Sequence, residues 1–203
     1  IEDRRFYQHG GIDTKGILRA IKNNLTGVSH EGASTITMQV ARLLHPKPRT
    51  LANKIAEMFR ALQIESRFSK REILRLYLNL APYGGNIEGI SSAAYFYLDK
   101  APDHLSLAEI TALSVIPNKP NSLTPGKHNE AIVKERNRWL QWMASKDIFS
   151  NKEVEDALHE PFDAIRQGAP RYAPHLSLQL MKSGKNITTS SLQLNTQLKT
   201  EKI

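Results

Sequence analysis

The chain has 203 residues, 40% of them hydrophobic and 24% charged, which is enough for one substantial core and a small appendage. It contains no cysteine, which excludes a disulfide framework and a thiolate metal site, and no run of about 18 apolar residues, so it carries no transmembrane helix of its own. The formal charge of +8 and pI of about 9.7 favour an anionic partner; with no zinc-finger, basic-zipper or RNA-binding aromatic signature, acidic lipid headgroups or a phosphorylated substrate fit better than nucleic acid.

The chain opens on Ile1-Glu2-Asp3 without a leader, as expected of a segment of a longer protein. Glu2 and Asp3 stand beside Arg4 and Arg5, followed by Phe6, Tyr7, His9 and the pair Gly10-Gly11. A carboxylate beside cations stays ionised, as a general base must, although a charged helix start has the same composition. Gly32 to Gln39 places small residues and hydroxyls ahead of an apolar stretch. Ser34 or Thr35 can cap a helix there, or the helix start can seat a phosphate.

From Thr50 to Arg67, Leu51, Ile55, Phe59 and Leu62 recur at helical spacing. Lys54 and Glu57 share a face of that helix, either as a surface ion pair or as part of a site. Arg42, Lys47, Arg49, Arg60, Arg67, Lys70, Arg71 and Arg75 make the stretch basic, against Glu57, Glu65 and Glu72 alone. Such a run is a solvated face or the lining of a groove for a diphosphate.

Three Ser-x-x-Glu signals, at Ser69, Ser106 and Ser150, predict helix starts with reciprocal caps. The second introduces a helix that Pro117 stops. Tyr83 to Ile90 has three glycines in six residues and predicts a tight loop without the order of a nucleotide site. Residues 130–144 repeat helical spacing through Ile132, Val133, Trp139, Leu140 and Met143. Strand alternation is scarce, the best candidate being the polar tail from Ile187 to Leu198. The expected fold is mainly α, with a core from residue 1 to about 160.

Taken in order, these segments resemble the glycosyltransferase domain of bifunctional class A penicillin-binding proteins, glycosyltransferase family 51. The motif E-D-x-x-F-x-x-H-x-G is matched by Glu2, Asp3, Phe6, His9 and Gly11. G-x-S-T-x-T-Q-Q is matched by Gly32, Ser34, Thr35, Thr37 and Gln39, and R-K-x-x-E by Lys54 and Glu57. Lys70 to Asn79 resembles K-x-x-I-L-x-x-Y-L-N, and Arg136 to Leu140 a fifth motif. Met38 stands where the second motif has its first glutamine and Asn53 where the third has arginine. Both changes remove polar groups expected near the substrate. The Met within its Gly-Ala-Ser-Thr context is most like the penicillin-binding protein 1C subgroup.

The resemblance implies a lysozyme-like glycosyltransferase fold with a smaller membrane-facing lobe. The domain would span 1–182, with 183–203 leading toward a C-terminal transpeptidase domain. It implies polymerisation of lipid II into β-1,4 glycan with inversion and release of undecaprenyl diphosphate. Glu2 is then the base and Glu57 the second catalytic carboxylate. Asp3, Phe6, His9, Ser34, Thr35, Gln39, Arg42, Arg49, Lys54, Asn118 and Arg136 are the expected substrate contacts. No self-sufficient metal site is expected, though oxygen ligands at the diphosphate suit magnesium or manganese. The implied partners are lipid II, the growing glycan, the outer face of the cytoplasmic membrane and other cell-wall synthesis proteins. A lysozyme-like hydrolase or lytic transglycosylase is the rival enzyme, distinguished by having no need of a diphosphate seat. A silent membrane- or partner-binding module is the rival without chemistry.

Overall fold

The computed structural model describes residues 2–26 and 34–168, leaving aside the side chains of 20–22 and 24–26. The chain divides into two compact units, Ile1–Arg166 and Gln167–Ile203, and only Gln167 and Gly168 of the second are described. The tail expected as strand or linker, and the boundary near 182, lie outside the described residues.

The described residues form α-helices and single 3-10 turns, with no β-structure beyond the isolated antiparallel bridge Pro82–Glu88. A 3-10 turn at Phe6–Gln8 precedes α1 (Thr14–Thr26), α2 (Ile36–Leu44), α3 (Leu51–Glu65), α4 (Lys70–Leu80) and α5 (Ile90–Leu98). Then follow α6 (Leu107–Val115), α7 (Asn129–Ala144) and α8 (Asn151–His159), with 3-10 turns at Pro102–His104 and Ile116–Asn118. The mainly α expectation holds. All three Ser-x-x-Glu signals are reciprocal capping boxes, at the starts of α4, α6 and α8. In each, the Ser hydroxyl accepts from the Glu backbone N–H while the Glu side chain accepts from the Ser backbone. Two of the orphan donors of the helix start are thereby satisfied.

Packing runs in two groups. α2 lies against α3 and α4, and α6 lies against α7 and α8. Phe6, Val40, Ile73, Tyr77, Tyr83, Tyr97, Leu113, Ile116 and Ile132 belong to the main core. A smaller cluster joins Ala108, Leu140, Val154 and Ala157. The Tyr83 to Ile90 loop is tight as expected, with Gly84, Gly85 and Gly89 all at positive φ. At Gly89 a Cβ would stand 2.8 Å from the Asn79 carbonyl oxygen, so only glycine lets α5 start so close to the end of α4.

Helical spacing in α3 identified the helix but not its environment. Leu51, Ile55, Phe59 and Leu62 all face outward, and Ala61 is the buried residue of α3. Period reports the regularity of an apolar face and says nothing of what covers it.

Candidate active site

The site is organised by the N-terminus of α2. Thr35 is its cap, accepting from the Met38 N–H at 3.1 Å and donating its own hydroxyl to the Gly11 carbonyl at 2.6 Å. The Ile36 N–H donates to Asp3 at 3.1 Å. Thus the first anion met by the positive end of α2 is a residue of this chain, and the helix start does not stand open for a phosphate. Asp3 also lies 3.0 and 3.1 Å from His9 Nε2 through its two oxygens. Phe6, Thr35 and the side chains of Asp3 and His9 are buried. Those four expected substrate contacts therefore hold the Glu2 segment onto α2 from inside.

Gly11 shows how closely that segment is laid down. Its φ is +81°, and a Cβ there would stand 2.9 Å from Glu65 Cγ and 3.0 Å from the Ala61 carbonyl oxygen. Glu65 is in turn a shared acceptor, taking the Thr37 hydroxyl at 2.6 Å and Lys70 Nζ at 2.7 Å on one oxygen. Lys70 Nζ lies 4.4 Å from the centre of the Phe6 ring, a cation–π contact. On the other side, the Arg4 guanidinium covers Trp142 at 4.7 Å and Trp139 at 5.4 Å on α7. Sequence reading named Glu65 only as one acid in a basic run. Its signal was there in the scarcity of acids between residues 42 and 75.

With Asp3 fixed, Glu2 is placed beside it. One of its oxygens, Oε2, accepts from Gln39 Nε2 on α2 at 3.1 Å. The other, Oε1, is buried and has no hydrogen-bond partner among the described residues. An idle, water-shielded carboxylate oxygen is what a general base offers to a hydroxyl proton. Lys54 on α3 donates to Ser34 Oγ at 2.5 Å and to Glu57 at 3.2 Å. The helix-face pairing of Lys54 with Glu57 is therefore formed, and Ser34 ties it to the start of α2. Arg42, in the last turn of α2, is half-buried, and Arg49 is exposed on the approach to α3. Asn118 closes the third 3-10 turn, exposed to solvent.

No group of three or more His, Cys, Asp or Glu able to hold a metal occurs among the described residues. Glu57 by itself, already paired with Lys54, does not make a cage for an ion.

A model of the transglycosylase family matches residues 1–144. The chain belongs to this family. It is 41% identical to penicillin-binding protein 1C of Escherichia coli, over the whole of this chain and 26% of that protein. It is 38% identical to penicillin-binding protein 1A of the same organism, over 87% of this chain and 21% of the relative. It is 34% identical to penicillin-binding protein 4 of Bacillus subtilis, over 78% of this chain and 26% of the relative. The chain thus spans about a quarter of the length of these curated relatives.

Three residues of the chain stand differently from expectation. Met38 is 1% exposed and packed into the interior, so the glutamine-to-methionine departure removes nothing from an open groove. Asn53 sits at the start of α3, donating its side-chain amide to the Pro48 carbonyl at 2.9 Å. Its backbone N–H donates to Thr50 Oγ1, so this departure secures the turn into the helix that carries Lys54. Arg136 is 1% exposed, in register with buried Ile132 and Leu140 on α7. Its guanidinium donates to the carbonyls of Glu160 at 2.8 Å and Leu158 at 3.4 Å, and to Asn137. Burial lowers its pKa and the nearby Glu160 carboxylate opposes that. A cation on the last carbonyls of a helix is favourable, and here it leaves Arg136 closing α8 rather than meeting substrate.

Proposed function

We propose that this transglycosylase polymerises lipid II into β-1,4 glycan strands. The acceptor's 4-hydroxyl oxygen forms the bond to the anomeric carbon of the donor from the face opposite its leaving group. The bond from that carbon to the diphosphate oxygen breaks, its electron pair leaves with undecaprenyl diphosphate, and the centre inverts. Glu2 takes the hydroxyl proton. Lys54 meets the charge that grows on the departing oxygen, joined by Arg42 and Arg49. Glu57 holds Lys54 in place. A magnesium or manganese ion, where one takes part, would be held mainly by the diphosphate, as magnesium commonly is, and no step here is routed through it.

The observation that carries this reading is the double attachment to α2. Gln39 fixes Glu2 with one oxygen free, while Ser34 fixes Lys54 at the start of the same helix. A base and a cation both tied to one rigid element suit a reaction that makes an alkoxide-like nucleophile and an anionic leaving group together. A hydrolase of neutral glycan needs the acid group but no such cation.

The substrate's lipid tail places the enzyme at a membrane surface, on the outer face of the cytoplasmic membrane. No helix among the described residues is long and apolar enough to cross a bilayer. The exposed row Leu51, Ile55, Phe59 and Leu62 on α3, with Lys47, Arg49 and Arg67 exposed nearby in sequence, suits contact with an anionic bilayer. The test is incubation with labelled lipid II. The wild type should yield polymer, and Glu2→Gln should lower the rate by roughly 10²–10⁴-fold with its helical circular dichroism intact. Cleavage of preformed glycan with no polymer from lipid II would overturn the reading.

A further inference from the structure

Beside the free Oε1 of Glu2, a second buried oxygen lacks a hydrogen-bond partner among the described residues, the hydroxyl of Tyr77. Native interiors leave few such groups unmatched. Tyr77 stands on α4 one turn beyond Ile73, is 5% exposed, and belongs to the main core. The charge it feels most is that of Glu2, with Tyr83 and Arg42 the other groups acting on it. Burial first, and Glu2 second, push its ionisation far above the ordinary tyrosine range. The hydroxyl is therefore a permanent donor under working conditions. α4, which carries Tyr77, packs on α2, whose Gln39 holds Glu2, so a donor without an acceptor and an acceptor without a donor share one interior.

The geometry points to Tyr77 as the positioning residue for Glu2. Its O–H donates, through one bridging water, to the carboxylate oxygen that Gln39 leaves free. This rests on the reading of Glu2 as the base. With Gln39 on one oxygen and Tyr77 on the other, the carboxylate cannot swing. Each carboxylate oxygen accepts more than one hydrogen bond, so a lone pair remains for the proton of the acceptor hydroxyl. That proton goes to Glu2, and Tyr77 keeps its own. A hydrogen bond to the ionised form also favours ionisation, so the contact keeps the base charged at lower pH. Asp3 is already taken by His9 and the Ile36 N–H.

Two readouts separate this inference from the proposed function. The first needs no substrate. In protein carrying carbon-13 at glutamate side-chain carboxyls, the Glu2 signal is the one lost in Glu2→Gln. Its titration midpoint should move up by about one pH unit in Tyr77→Phe, a tenfold change in proton affinity. Incorporation of 3-fluorotyrosine at position 77, which keeps ring and hydroxyl but donates more strongly, should move it down. An unmoved midpoint in both proteins overturns the inference, and the fluorinated protein decides it alone where Tyr77→Phe does not fold. The second readout is turnover on lipid II. Tyr77→Phe should lower kcat about tenfold, leave KM within about twofold and carry the acid limb of the pH profile upward. A wild-type kcat with an unmoved acid limb also overturns it. A wild type that makes no polymer sinks the proposed function, while the carboxyl titration still decides whether Tyr77 holds Glu2.

Discussion

Replacing Lys54 with alanine should separate stability from catalysis. Lys54 is 34% exposed at its side chain and its partner Glu57 15%, so their pair is partly screened and contributes about 1 kcal/mol or less to folding. Loss of the 2.5 Å contact to Ser34 removes a charge-assisted bond, but Ser34 is half-buried and can turn to water. The thermal midpoint should therefore fall by only a few degrees. Polymerisation should fall far more. A fixed cation that meets charge developing on a leaving oxygen contributes roughly 2.7–4 kcal/mol, or about 10²–10³-fold in rate. The assay pairs polymer formation from lipid II with two binding measurements at one ionic strength, since exposed charge contacts are salt-screened. A diphosphate-lipid analogue should bind Lys54→Ala more weakly than wild type, and a neutral glycan strand should bind both alike. Equal losses for the two ligands, or a rate within threefold of wild type, would refute the assignment of Lys54 to the diphosphate.

Arg136→Met should destabilise the fold by roughly 1–3 kcal/mol, because it strands the carbonyls at the end of α8. Its kcat per folded molecule should stay near wild type, and a selective loss of lipid II binding would restore Arg136 as a substrate contact. Charging the α3 row, as in the double variant Ile55→Glu and Phe59→Glu, should abolish sedimentation with anionic vesicles. Both positions are more than 60% exposed, so the melting temperature should barely change. The caps give a pH signature. Hydrogen bonds from Ser69 and Ser150 lower the pKa of Glu72 and Glu153 below the ordinary 4.5. A carboxyl lowered on folding contributes stability that is complete above its unfolded value and is lost as pH falls through its folded value. Replacing both serines by alanine should therefore cost stability at pH 7 and shrink the difference from wild type below pH 4, measured by urea unfolding.

Local chemistry was the most legible part of the sequence. Ser-x-x-Glu is readable because both hydrogen bonds of a capping box form within four residues, and all three cases formed. Lys54 and Glu57 were legible for the same reason, their geometry being set by one turn of helix. What a residue faces is decided by packing across the chain and was not legible. The apolar period of α3 marked a helix whose row lies open, whereas the polar Arg136 sits in the buried row of α7. Tyr77 lay within a recognised motif but carried no assignment, since only its burial and its missing partner set it apart from an ordinary core tyrosine.

The adjacent acids Glu2 and Asp3 show why such a site resists reading from composition. They have the same charge and the same neighbours in sequence, and either fits the description of a base among cations. Folding separates them through the dipole of α2. The backbone N–H of Ile36, 33 residues away, takes Asp3, and His9 closes on its two oxygens. With both oxygens engaged inside the fold, Asp3 works as a peg. Glu2 follows from the peg: with Asp3 immobile, its neighbour is delivered to Gln39 with one oxygen left over. The same helix start that could have seated a phosphate is filled from within. The cation for the diphosphate therefore comes from the next helix, through Lys54 and the hydroxyl of Ser34. Base and cation are thus placed by opposite uses of one element: its positive end fixes the anion that positions the base, and the residue before its cap fixes the cation.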